Sequence, residues 1–131
     1  GFDIAMFTTL TRDNLDYHGT MRNYFEAKKK MFDHLKPEAV AITNVDDPYG
    51  LKIVEDCKCH ILTYGIDHEA DYQATNIQLL KDKTKFNLKV AGMEYLIETN
   101  LVARFNIYNL LAAIAALNSA GISMTQMLPY L

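Results

Sequence analysis

The feature that most constrains the fold of this chain is a change of hydrophobic pattern near residue 67. Before that point, three short apolar runs at 4–10, 39–43 and 60–65 alternate with stretches of helical periodicity. Apolar runs of this length are typical of parallel strands that are buried on both faces. Because parallel strands need a crossover between them, this order predicts right-handed βαβ units around a parallel sheet.

Two helices are predicted between these strands. Thr20 is placed to cap a helix that runs to about Leu35. Asp47 and Pro48 predict the start of the second helix, with Asp47 as the N-cap and Pro48 at the first helical position. We expect this second helix to last to about Cys57.

After residue 67, apolar and polar residues alternate, which is typical of half-buried strands. Strands are predicted at 72–80, 86–90 and 93–97, with turns at 81–83 and 91–92. An alanine-rich helix is predicted over 106–120, and a short helix from about Ser123. The predicted fold class is α/β: a fragment of a parallel Rossmann-like sheet with flanking helices, and a small three-stranded antiparallel sheet packed beside it.

Charge and hydropathy argue against several classes of partner. A formal charge of −3 over 131 residues provides no electrostatic basis for binding nucleic acid or an anionic membrane. The longest purely apolar stretch, at 110–117, is too short to span a bilayer, and the first residues do not have the pattern of a signal peptide. Cys57 and Cys59 are too close together to staple a fold, so we expect a reducing cytoplasm.

Lys28 is the candidate catalytic residue. On a helical wheel it falls at the centre of an apolar stripe, whereas Lys29 and Lys30 fall to the side and back, where lysine is ordinary. The stripe consists of Met21, Tyr24, Phe25, Met31, Phe32 and Leu35. A lysine there must reach solvent, pair with an anion or lose its charge. A neutral amine can react with carbon dioxide to form a carbamate, whose oxygens could ligate magnesium. The alternative is an ordinary lysine at the helix edge.

Asn106 and Asn109 are candidate ligand-binding residues. They lie three apart in the first turn of the alanine-rich helix, away from its apolar face. A carboxamide offers a donor and an acceptor together, which matches the edge of an adenine. The alternative is plain helix capping by asparagine.

Other candidates are weaker. His18 lies in a loop after a strand, where α/β sheets place their ligands, but a lone loop histidine is more often solvated. The Cys57–His60 stretch resembles half of a zinc site, without a second pair of ligands. Asp46 and Asp47 are possible metal carboxylates, although one of them is needed as a helix cap. The sequence contains no glycine-rich Gly-x-x-x-x-Gly-Lys-Ser/Thr phosphate-binding loop.

Four stretches together resemble a known family in both order and spacing. They are 2–21, with Leu15-Asp16-Tyr17-His18-Gly19-Thr20; 24–32, with Tyr24-Phe25-Glu26-Ala27-Lys28; Asn44-Val45-Asp46-Asp47; and 99–109, with Phe105-Asn106-Ile107-Tyr108-Asn109. They are similar to the Mur ligases, specifically the UDP-N-acetylmuramoyl-tripeptide synthetases. The resemblance implies that residues 1–131 are part of the family's central ATP-binding domain, without its phosphate-binding loop.

The resemblance also implies cofactors, partners and site residues. ATP and Mg²⁺ would be the cofactors, Lys28 would be carbamylated and hold magnesium, and Asn106 and Asn109 would hold the adenine. Asn14 stands where the family has a magnesium-ligating histidine, and Ala103 stands where a glycine is usual. The partners would be UDP-MurNAc-dipeptide (UDP-MurNAc-L-Ala-D-Glu), an amino acid and the rest of the ligase chain. The fragment alone is expected to be inactive and to bind ATP weakly.

Two other functions remain open at this stage. One is a non-catalytic binding module that keeps the fold without the chemistry, which the lack of a phosphate-binding loop favours. The other is a ligase of the folylpolyglutamate or cyanophycin type, against which the Leu15–Gly19 string argues. The sequence does not indicate which amino acid would be added.

Overall fold

The computed structural model describes residues 3–9 and 18–131, with the backbone alone for 18–20. In the described part, six strands form one sheet in the order β1-β2-β3-β4-β5-β6. The strands are β1 (Ile4–Phe7), β2 (Val40–Asn44), β3 (His60–Gly65), β4 (Tyr72–Leu79), β5 (Thr84–Val90) and β6 (Met93–Thr99). The helices are α1 (His18–Asp33), α2 (Gly50–Ile53), α3 (Arg104–Ser119) and α4 (Met124–Met127), followed by a 3₁₀ turn at Leu128–Tyr130.

The first half of the sheet is parallel, as the apolar runs predict. β1 pairs with β2 and β2 with β3 in parallel, and all five residues of β2 are buried. Along β2, Ala41 packs with the α1 and α2 side, whereas Val40 and Ile42 pack with the α3 side. Burial on both faces explains why β2 is a continuous apolar run and not an alternating one.

The second half is antiparallel and extends the same sheet. β4, β5 and β6 pair in succession, but β3 also pairs in parallel with β4 through Tyr64–Tyr72 and Gly65–Gln73. The predicted α/β fold class is confirmed, whereas a separate antiparallel sheet beside the parallel one is not what forms. Pairing β4 with β3 satisfies backbone groups that would otherwise be left at two buried edges.

The helices differ from the prediction mainly at α2. Asp47 does not cap a long helix: its Oδ1 accepts from Tyr49 N at 2.8 Å, and Gly50 N donates to the Asp47 carbonyl oxygen at 2.9 Å, which closes a turn. The predicted helix to Cys57 is therefore wrong, because α2 spans only Gly50–Ile53 and turns follow it. α4 begins as expected, with Ser123 and Gln126 forming a capping box.

Two apolar cores lie on the two faces of the sheet. Phe7, Phe32 and Ile53 belong to the core under α1 and α2, and Ile107, Leu111 and Ile114 to the core under α3. Among the helices of the described residues, none combines the length and the apolar character that crossing a bilayer requires. The carboxyl ends of β1, β2 and β3 meet at one edge of the sheet, here called the carboxyl edge, and α3 begins beside it.

Gly50 allows α2 to pack against the end of β2. A Cβ at this position would lie 1.9 Å from the Asn44 carbonyl oxygen, so the backbone must shift to accept any side chain. Gly50→Ala should therefore lower the free energy of unfolding by about 3 kcal/mol or more, measured by urea denaturation. The matched control is Gly92→Ala, where nothing lies within 4 Å and only the positive φ of 77° is costly, at about 1–2 kcal/mol. Equal losses in the two variants would contradict the steric explanation.

Candidate functional site

Asn44, at the end of β2, joins the carboxyl ends of two strands. Its Nδ2 donates to the carbonyl oxygen of Thr8 at 3.0 Å, and its Oδ1 accepts from Asp46 N at 2.9 Å. The first bond fixes the chain that leaves β1, and the second turns the chain that leaves β2. Asn44 is 5 % exposed, so both bonds are shielded from competing water.

Asp46 follows in this turn and accepts hydrogen bonds from two other segments. Its Oδ2 accepts from the backbone N–H groups of Ile66 and Asp67, at 2.7 and 3.0 Å, and from the Tyr108 hydroxyl at 2.8 Å. Its Oδ1 accepts from His68 N at 3.1 Å and lies 2.7 Å from the ring Nδ1 of His68. We call Asp46 and these four residues the Asp46 network. It joins the end of β2, the loop after β3 and the first turns of α3.

The Asp46 network changes the acidity of its members. Burial disfavours the charged form of Asp46, but the hydrogen bonds from Asp67 N, Ile66 N, His68 and Tyr108 outweigh this cost and lower its pKa to about 2. The Asp46 side chain is only 5 % exposed, so these bonds act in a low dielectric. Burial and the same bond to Asp46 raise the pKa of Tyr108 to about 12. Asp46 is thus a fixed anion and Tyr108 a fixed donor at neutral pH.

Arg104 adds a second link between α3 and the loop after β3. Its Nη2 lies 2.5 Å from Asp67 Oδ2, and its guanidinium carbon lies 5.7 Å from the centre of the Tyr108 ring. The hydrogen bond to Asp67 raises the pKa of Arg104 against the opposing effect of burial. Both groups of the ion pair are about half exposed, so the contact contributes orientation more than stability.

A cavity of about 430 Å³ opens at the carboxyl edge beside this network. Its wall combines polar groups from the ends of β1 and β2 with the first two turns of α3. The lining residues are Thr8, Thr9, Asn44, Asp46, Asp47, Pro48, Phe105, Tyr108 and Asn109. Its size is within the range of small-molecule sites, about 300–1,000 Å³. A larger cavity of about 750 Å³ lies at the far end of α3, where its walls are mainly apolar.

The structure separates the two predicted adenine residues. Asn109 is exposed and lines the cavity, next to Phe105, whose side chain is 65 % exposed. Asn106 is half-buried, and its Nδ2 donates to the Val102 carbonyl oxygen at 2.6 Å. Asn109 therefore lines the space where a ligand fits, whereas the amide nitrogen of Asn106 binds the backbone just before α3.

Lys28 lies on α1, away from the lining of this cavity. It is half-buried, with its Nζ 5.8 Å from the centre of the Tyr24 ring. The predicted apolar stripe is correct for the fully buried Phe32, but Met31 is 49 % exposed. Asn14 lies outside the described residues, as does the side chain of His18. Across 3–9 and 21–131, no three His, Cys, Asp or Glu side chains are grouped so that they could hold a metal ion.

Lys29 departs from the prediction that it is an ordinary surface lysine. Its Nζ lies 2.9 Å from Asp33 Oδ1 on the same helix and 2.5 Å from Asp56 Oδ2 after α2, and its side chain is only 15 % exposed. The bond to Asp56 raises the pKa of Lys29, burial opposes this, and Asp33 adds to the increase. Lys29 thus fixes α1 against the α2 side of the fold.

The two cysteines are free thiols. Both are half-buried, and the Cys57 Sγ donates to the Phe32 carbonyl oxygen at 3.4 Å. Burial raises the pKa of the Cys57 thiol to about 11, and the neighbouring Cys59 adds to this increase. Their described contacts serve the packing of α1.

Sequence reasoning missed Tyr108, Phe105 and Thr8 as site residues. Tyr108 and Asn109 follow Phe105 by three and four residues on the same helix, a helical spacing that was an available signal. Thr8 follows β1 directly and lines the cavity, and no local sequence pattern identifies it as a site residue. Asp46 was considered only as a metal ligand or a cap, whereas it binds partners that are 20 to 62 residues away.

The low pKa of Asp46 predicts an acid-sensitive contribution to stability. Because the folded pKa of about 2 lies below the ordinary value of 3.8, the contribution is present above pH 4 and is lost as the pH falls towards 2. Its size is on the order of 2 kcal/mol. Asp46→Asn should be less stable at pH 7, but should lose about 2 kcal/mol less than the wild type between pH 4 and pH 2, by urea unfolding. Asp82→Asn, in the exposed turn after β4, is the control, and a slope for Asp46→Asn equal to that of the control would contradict the assignment.

The chain is similar in sequence to known proteins. The family model of the Mur ligase middle domain matches residues 1–117. A UDP-N-acetylmuramoyl-L-alanyl-D-glutamate--2,6-diaminopimelate ligase of Chlamydia pneumoniae is 39 % identical over 119 residues, which are 91 % of this chain and 25 % of that protein. A UDP-N-acetylmuramoyl-L-alanyl-D-glutamate--L-lysine ligase of Staphylococcus haemolyticus is 39 % identical over 127 residues, or 94 % of this chain and 26 % of that protein.

A solved structure supports the same relationship. The structure of a UDP-N-acetylmuramoyl-L-alanyl-D-glutamate--2,6-diaminopimelate ligase superposes with a TM-score of 0.84 at 32 % identity, covering 98 % of this chain and 27 % of that chain. The chain thus spans about a quarter of the length of the relatives it matches. Since the family model covers most of its residues and the six-stranded sheet matches throughout, this chain belongs to the Mur ligase family, in the part that forms the middle domain.

Proposed function

We propose that residues 1–131 are part of the central domain of an ATP-dependent ligase of peptidoglycan synthesis. The longer ligase would add an amino acid to UDP-MurNAc-L-Ala-D-Glu, the substrate that both relatives carry in their names. The observation that carries the proposal is the cavity at the carboxyl edge, where the Asn109 amide and the Phe105 ring form one wall. Ligands of open α/β sheets bind at this edge.

The cavity suits the base of a nucleotide. The Asn109 amide can donate to and accept from the edge of an adenine, and the exposed ring of Phe105 offers a flat apolar surface beside it. Asn106 stabilises the start of α3, because its side chain binds the Val102 carbonyl oxygen in the segment that leads into this helix. We therefore assign the direct contact with adenine to Asn109, with Asn106 as the second candidate.

Lys28 is proposed to act on the magnesium side of the site. The Lys28 side chain is half-buried, and its Nζ lies 5.8 Å from the centre of the Tyr24 ring. As a carbamate, Lys28 would offer oxygen ligands of the kind that magnesium prefers, with Asn14 as a further oxygen donor. When bound, magnesium would neutralise negative charge on the phosphates of ATP.

The proposed reaction forms an amide bond in two steps. The γ-phosphoryl group of ATP passes to the D-glutamate carboxylate, and the amine of the incoming amino acid then displaces phosphate from the acyl phosphate. In this scheme the described residues bind and orient: Asn109 holds the base, and α1 holds Lys28 in place through the Lys29–Asp56 ion pair. Both 2,6-diaminopimelate and L-lysine are candidates for the amino acid, because the two relatives differ in that part of their names.

The Asn109 assignment predicts a selective loss of nucleotide affinity. In the longer ligase, Asn109→Ala should raise the KM for ATP about 5- to 150-fold, which corresponds to about 1–3 kcal/mol for a lost hydrogen-bonded amide. The thermal midpoint should not change, because the side chain is exposed. Asn106→Ala is the matched comparison: loss of its bond to Val102 should lower the midpoint, with a smaller effect on KM. A lower midpoint and an unchanged KM for Asn109→Ala would identify this residue as a cap.

The Lys28 assignment predicts loss of activity that a carboxylate can restore. In the longer ligase, Lys28→Ala should abolish most amide formation, and added acetate or formate should recover part of it by replacing the carbamate oxygens. The control is Lys30→Ala, a neighbouring exposed lysine of the same helix, which should retain full activity. Full activity of Lys28→Ala, or equal loss in both variants, would mean that Lys28 has no role in the chemistry.

A further inference from the structure

We propose that Tyr108 is a positioning residue: its hydroxyl, bound to the buried Asp46 carboxylate, sets the orientation of the first turns of α3 and thereby of Phe105 and Asn109. This inference rests on the proposed nucleotide site, because it concerns how that site is held in shape. It assigns to Tyr108 a role through its neighbours and not through contact of its hydroxyl with a ligand.

The start of α3 is not held by a capping side chain. Ala103 stands at the N-cap with φ 79° and ψ 145°, a backbone conformation that favours glycine, and its side chain makes no capping hydrogen bond. α4 provides the contrast, since Ser123 and Gln126 cap it reciprocally. A helix start without a cap frays unless tertiary contacts hold it.

Tertiary contacts to the carboxyl edge take the place of a cap. The Tyr108 hydroxyl donates to Asp46 Oδ2 at 2.8 Å, and Arg104 lies against both Asp67 and the Tyr108 ring. Asp46 is itself immobilised by the N–H groups of Ile66 and Asp67, so the hydroxyl binds a fixed point. A hydrogen bond to a buried carboxylate is among the stronger ones in proteins. Of the contacts at the helix start, this one is the most shielded from water.

The spacing along α3 transmits this contact to the cavity. Tyr108 and Asn109 follow Phe105 by three and four residues, so the three side chains lie on one side of the helix, and all three line the cavity. A rotation of α3 that moves the Tyr108 hydroxyl away from Asp46 would also move the Asn109 amide and the Phe105 ring. The Tyr108–Asp46 bond therefore determines how the base-facing wall is presented.

The other end of α3 offers a matched control. There the Tyr72 hydroxyl donates to Asn118 Oδ1 at 2.7 Å, which also attaches the helix to the sheet. Tyr72→Phe and Tyr108→Phe each remove one tyrosine hydroxyl from a bond of similar length, at opposite ends of one helix. Only the bond of Tyr108 lies beside the proposed site.

The first measurement is made on the chain itself by hydrogen exchange with mass spectrometry. In Tyr108→Phe, the amides of 104–109 should exchange at least about tenfold faster than in the wild type, whereas in Tyr72→Phe this segment should be unchanged. Equal protection of 104–109 in the wild type and in Tyr108→Phe would overturn the proposal. This readout does not depend on nucleotide binding, so it stands apart from the proposed function.

The second measurement uses the longer ligase and ATP. Tyr108→Phe should raise the KM for ATP about tenfold and leave kcat within about twofold, whereas Tyr72→Phe should leave both unchanged. If the helix start loosens in Tyr108→Phe while the KM for ATP does not change, the positioning role is wrong. If the wild-type ligase does not use ATP, the proposed function fails and hydrogen exchange alone decides the positioning claim. Should Tyr108→Phe not fold, Asp46→Asn takes its place, because it weakens the acceptor of the Tyr108 hydroxyl. The amides of 104–109 should then exchange faster and the KM for ATP should rise, and no change in either would overturn the proposal.

Discussion

The buried carboxylate of Asp46 is the interaction on which the rest of the carboxyl edge depends. Its five hydrogen bonds come from the loop after β3 and from α3, and they satisfy three backbone N–H groups of that loop. Leaving such donors unpaired would cost about 1–3 kcal/mol each. The neighbouring backbone is built around this group, since a Cβ at Gly65 would lie 3.2 Å from Asp46 Oδ1 and 2.8 Å from Val45 Cγ2. A single side chain thus sets the geometry of three segments.

The same edge brings together parts of the chain that are far apart in sequence. Asn44 holds the segment after β1 through Thr8, and Asp47 accepts from Thr9 Oγ1 at 3.1 Å, while Tyr108 holds α3 from the other side. Each of these hydrogen bonds holds a segment that forms part of the polar wall of the cavity. The cavity is therefore largely pre-formed, which lowers the entropic cost of binding a ligand. In the proposed function, this pre-formed wall is where the base of ATP binds.

The sequence predicts local features of this protein well and its long-range contacts poorly. The bounds of β3 and the capped start of α4 follow from local composition, and the structure matches both. The length of α2, the ion pair of Lys29 with Asp56 and the role of Asp46 did not follow, because each depends on a partner brought near by the fold. Asn106 and Asn109 looked equivalent in sequence. The fold distinguishes them, because Asn106 Nδ2 binds the Val102 carbonyl oxygen, whereas Asn109 lines the cavity.

Charge at the cavity favours one part of a nucleotide over another. The cavity borders Asp46 and Asp47, and two bare carboxylates would repel a triphosphate. The charge of Asp46 is met by five hydrogen bonds in a side chain that is 5 % exposed, and Asp47 accepts from Tyr49 N and Thr9 Oγ1. These bonds satisfy the two carboxylates without removing their charge, and the rest of the lining consists of amide, hydroxyl and aromatic groups together with Pro48. In the proposed function, a neutral base suits this wall better than a phosphate, because the two carboxylates would repel a phosphate.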